Sequence, residues 1–290
     1  MARGKAAKGQ WSLGRETEGL SQWVPSNEDF LWKRSSRDIE QAIANPNDKS
    51  RYVISLRLES KAAWLGGRGL LSVLKNDPSG WSCIQGAFRL WLWRARAAVY
   101  FDRQDAGVRT DKTRIALCLC HAITTGTLDA TTWCGDALVA QLNPSIPKQV
   151  WSLNWFAPFA VRLYAKWKGI QPEGLSSLPT IGIYERIFDA WQDETALAQA
   201  LMFACDYHCS RSPQAPEEDF QEFVYHPWTS FPVDILAIRQ VRADLGLATP
   251  EISHPLLDSP LVHFPHPMPE YHDELIDQAI AWLQEHLPGI

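Results

Sequence analysis

Apolar side chains return every three or four positions along most of this chain. Between Trp81 and Gln104, the residues Ile84, Phe88, Trp91, Leu92, Ala95 and Val99 form one stripe. That spacing sets side chains on a single face of an α-helix. Ser79-Gly80 precede the stripe and Asp105-Ala106-Gly107 end it. The same reading predicts a helix over Asn27 to Ala44, with a break at Ser35-Ser36, and another over Arg51 to Leu65, stopped by Gly66-Gly67. Ile54, Leu56 and Leu58 alternate, so a strand also fits there. Thr110 is the expected N-cap of the next helix, with Asp111 in its first turn and Gly126 as its stop. Further helices are predicted over Asp129 to Leu142, Ser145 to Lys168, Thr180 to Trp191, Thr195 to Cys209, Phe231 to Leu245 and Pro269 to Leu287. Pro158 should kink or break the one it falls in, because it lacks the N–H that a helix interior uses. Helices of this length with short breaks predict an all-α fold, an array of antiparallel helix pairs.

One stretch breaks the period. Ala248 to Pro269 holds Pro250, Pro255, Pro260, Pro265, Pro267 and Pro269. Proline removes a donor and pushes its predecessor extended. An irregular strap near the C-terminus follows, docked by Leu256, Leu257, Leu261, Val262 and Phe264. Residues 1–25 read as a basic, flexible segment, and residues 26–290 as a single all-α domain, with a sub-boundary left open near 170–180. With 290 residues, 46% of them apolar, the chain has enough core material to fold without staples. No apolar run approaches the roughly 18 residues that span a bilayer. No secretory h-region follows the basic start, so the expected setting is cytoplasmic, with no membrane partner.

Charge changes the picture more than composition does. The formal net charge is −5, but residues 1–170 carry 24 Lys and Arg against 14 Asp and Glu, whereas residues 171–290 carry 4 against 19. Some of those acids suit helix starts, such as Asp193-Glu194 and the group Glu270, Asp273 and Glu274, where negative charge meets the positive end of the helix dipole. The remainder predicts either internal pairing with the basic part or an acidic exterior offered to a basic partner, since complementary fields speed association. Direct nucleic-acid binding is disfavoured, because phosphate contacts need Lys and Arg and no reading motif is visible.

Candidate chemistry is sparse. Cys118, Cys120, His121, Cys205, His208 and Cys209 contain zinc-type donors. Cys118 and Cys120 point about 200° apart on a helix, so core cysteines are the better reading. His254, His263, His266 and His272 cluster in and just after the strap, where Asp258 or Asp273 could complete a metal site. A helical metal-dependent enzyme using residues 254–272 is therefore the alternative reading, and a helical scaffold or regulator a third. Gly66-Gly67-Arg68-Gly69 lacks the lysine and hydroxyl of a phosphate-cradling loop, and no nucleophile-base arrangement is recognisable. No catalytic residue, cofactor or metal ligand is assigned.

The strongest interaction candidate is the acidic run Glu217-Glu218-Asp219 with Glu222, followed by the aromatic segment Phe223 to Phe231 containing Tyr225 and Trp228. Aromatics beside carboxylates form the anchor-and-rim surface that dominates interface energy. The same segment also suits a plug packed on the helices. Asp258 and His263 on the strap are the second choice. In the C-terminal third, the sequences Ala204-Cys205-Asp206-Tyr207-His208-Cys209-Ser210-Arg211-Ser212, Pro232-Val233-Asp234-Ile235-Leu236-Ala237-Ile238-Arg239 and Ser253-His254-Pro255-Leu256-Leu257-Asp258-Ser259-Pro260-Leu261 occur in that order. This arrangement resembles the helical immunity proteins of bacterial polymorphic toxin and type VI effector systems. The resemblance implies an all-α, Trp-rich, non-catalytic protein that binds and blocks one cognate toxin. Basic nucleases are among the toxins an acidic inhibitor would suit. It carries no residue-level role onto this chain.

Overall fold

The computed structural model describes residues 11–142, 155–213 and 221–289. Among them every regular element is helical, and the principal neighbours pack as antiparallel pairs. The first helix, α1, runs Leu13–Asn27, where a flexible segment was expected up to residue 25. The Ser12 side chain starts it by accepting the Arg15 N–H. A wider-wound turn, Glu28–Lys33, carries the chain directly into α2, Arg34–Ala44. The irregularity thus follows Pro25 instead of falling at Ser35-Ser36, as a missing N–H upstream explains. Ser35 is buried, and Ser36 accepts a 2.7 Å bond from the buried Lys61, whose ammonium lies 3.4 Å above the Trp32 ring.

Helix α3, Ser50–Leu74, runs straight through Gly66 and Gly67 and pairs along its length with α4, Gly80–Arg103. The expected stop is not one, and neither is the alternative strand formed. These glycines serve close approach instead. A Cβ on Gly66 would lie 2.5 Å from the His226 carbonyl carbon, and one on Gly69 would lie 2.8 Å from the Gly80 oxygen. Gly66→Ala should therefore lower unfolding free energy by roughly 3 kcal/mol, at the upper end of overpacking costs, because backbone cannot step aside. Gly19→Ala, in open space on α1, is the control and should be neutral or slightly stabilising in the same denaturant titration.

Asp111, not Thr110, caps α5, Lys112–Thr125, by accepting the Arg114 N–H. Thr110 instead donates to Asp102 at 2.6 Å. Every residue from Arg114 to Thr125 is buried, so α5 is enclosed on all sides. Gly126, at φ 72°, ends it and α6, Leu128–Ala140, folds back along it. Helix α7, Phe156–Lys168, has Pro158 in its first turn, where no intrahelical donor is needed, so no kink arises. The expected earlier half, 145–154, lies outside the described residues. The stretch predicted as one helix over Thr180 to Trp191 is a short 3₁₀ turn, Gly182–Tyr184, leading into α8, Glu185–Asp189. Asp193 caps α9, Glu194–Ser210. Helix α10, Val233–Asp244, packs on α5 and α7. The strap follows, irregular apart from a turn at Pro260–Val262, with Leu256, Leu257 and Leu261 buried beneath it. Asp273, not Pro269, starts α11, Glu274–His286, which lies on α2 and α3. Among the described residues no helix is long and apolar enough to cross a membrane.

Candidate functional site

The segment expected to face a partner turns inward. Trp228 is 0% exposed, and its indole N–H donates to His121 Nδ1 at 3.1 Å. The Trp91 indole N–H donates to the His226 carbonyl oxygen at 2.7 Å, so α4 holds the backbone of the segment. Tyr225 is half-buried: its hydroxyl donates to Asp111 at 3.0 Å and faces the Arg114 guanidinium. Arg114 in turn grips Glu59 with two bonds, and Arg94 meets the same carboxylate at 2.7 Å. Thr229, hydrogen-bonded to His226, reaches Glu16 on α1 at 3.2 Å. The residues 221–231 are thus the plug that closes α1, α3, α4 and α5 over one another. Trp228 and Glu222 are corrected from surface to core. Glu217, Glu218 and Asp219 lie outside the described residues.

Glu222 is 1% exposed and accepts the Trp155 N–H at 2.7 Å, which ties the start of α7 to the plug. Burial pushes its carboxyl up to about 7, opposed by that N–H, the Tyr207 hydroxyl and Arg211. An acid whose proton binds more tightly in the folded state gains stability below its ordinary titration near 4.5 and loses it as pH rises through 7. His121 and His226, lowered by burial to about 3 and about 4, work in the opposite direction, losing stability as pH falls below 6.5. The difference between Glu222→Gln and the parent isolates the contribution of this carboxyl. The variant should show no advantage at pH 4 and a growing one through pH 7, read from denaturation midpoints at each pH.

Beneath the plug is a polar knot that the sequence pattern does not flag as a site. The Tyr184 hydroxyl donates to Asp234 Oδ2 at 2.7 Å, and His208 Nδ1 lies 2.9 Å from Asp234 Oδ1, all three side chains at 0% exposure. A carboxylate only accepts, so Nδ1 carries the proton. The His208 ring stacks 3.9 Å over Phe223 and its Nε2 is buried with no hydrogen-bond partner among the described residues. The knot joins α9, α10 and the 3₁₀ turn. Asp234 had a readable signal, an acid inside the apolar run Val233 to Ile238. Two nearby acids stand outside the knot: Asp206 is exposed beside His254, and Glu185 holds Arg162 at 2.9 Å.

The metal candidates are not brought together. Cys118, Cys120, Cys134 and Cys205 are buried free thiols, and burial raises each well above its ordinary range. His254 is buried, accepting the Leu256 N–H at 3.1 Å, while His263 and His266 are exposed and His272 meets Glu270 at the surface. Among the described residues no three His, Cys, Asp or Glu side chains are placed to hold a metal ion.

The outside of the C-terminal part is acidic. Arg89 reaches Asp277 at 2.6 Å and Arg162 reaches Glu185, but Arg57, Arg94 and Arg114 pair with Asp38 and Glu59 of their own part. Glu173, Asp189, Asp206, Asp244, Glu251, Asp258 and Glu270 are exposed. Of the basic residues beyond 170, Arg242 is buried against the Trp191 and Ala248 carbonyls, and Arg186 lies over the exposed Phe203 ring. Asp258 and His263 remain exposed on the strap, which the His254–Asp206 contact of 3.2 Å tethers to α9. Compared with known proteins, the chain matches no family model, no curated protein and no solved structure.

Proposed function

We propose that this chain is an immunity-type inhibitor, binding one basic toxin or effector protein inside the cell and blocking it stoichiometrically. The observation that carries this reading is the exposed set of acids in a part of the chain that carries 19 Asp and Glu against 4 Lys and Arg, while Arg94 and Arg114 of the first part turn inward onto Glu59. Such a surface accelerates encounter with a positively charged partner and fixes its orientation. Its working face is the strap side, where Glu251, Asp258 and His263 are exposed, and the sequence adds the acids Glu217, Glu218 and Asp219.

The test is co-purification from the native cell with the product of the neighbouring open reading frame. A stable one-to-one complex with a cytotoxic protein is expected. In that complex, charge reversal at Glu251 and Asp258 should slow association by about tenfold at low ionic strength and flatten its salt dependence. Reversal at Glu217, Glu218 and Asp219 is the parallel variant. Unchanged association in both variants would remove the electrostatic basis of the proposal.

A further inference from the structure

We draw no further inference here: the strongest candidate, the groove between α8 and α9 beside the exposed Phe203 ring, carries both Asp189 and Asp193 and the guanidinium of Arg186 along its walls, and nothing in the structure shows what covers it.

Discussion

Asp234→Ala should cost about 3–5 kcal/mol of unfolding free energy, the range for removing one partner from a buried charged network. Two groups lose their acceptor at once: the Tyr184 hydroxyl at 2.7 Å and His208 Nδ1 at 2.9 Å, both fully buried. Neither can turn to water. Asp234→Asn keeps the volume and one acceptor, so it should recover part of the loss. Urea titrations of the three proteins measure the order. A cost below about 1 kcal/mol for the alanine variant would mean that the knot is solvated and not the clamp described.

The second large effect is expected at Trp228. Truncation to alanine empties a fully buried indole site and strips His121 of its donor, so a loss of about 3–5 kcal/mol follows. Trp228→Phe should cost less, because most of the ring volume remains. The pair of variants also separates two roles. A residue that anchors a partner from the surface lowers binding while leaving the unfolding midpoint alone. Here the midpoint should fall, and any complex formed by the folded phenylalanine variant should keep its affinity. Measuring midpoint and partner affinity on the same preparations distinguishes them.

The helical array was legible because burial on one face leaves a periodic trace, as from Ile84 to Val99. Asp193 and Asp273 were legible too, since an acid ahead of an apolar stripe suits a helix start, and both are N-caps. Where two capping residues stood together, at Thr110-Asp111, the pattern picked Thr110 wrongly; the acceptor on Asp102 takes the Thr110 hydroxyl and leaves Asp111 to cap. Gly66-Gly67 misled for a physical reason. Local propensity marks glycine as a helix stop, but the His226 backbone and the Trp23 ring, far away in sequence, require its missing side chain. The candidate site was harder still. An acid followed by aromatics reads the same whether it rims an interface or plugs a core. Only tertiary neighbours, Trp155 for Glu222 and His121 for Trp228, distinguish the two. The knot at Asp234 combines groups from three elements, a proximity no single segment reveals.

The enclosure of α5 has a consequence for how the molecule comes into being. During synthesis this greasy rod leaves the ribosome well before α10, the helix that later closes over it, has been made. Until then its uncovered flank is a sticky apolar surface of the kind that makes partly folded chains prone to aggregate. The order of the elements makes the C-terminal part the lid of the whole assembly as well as the bearer of its acids.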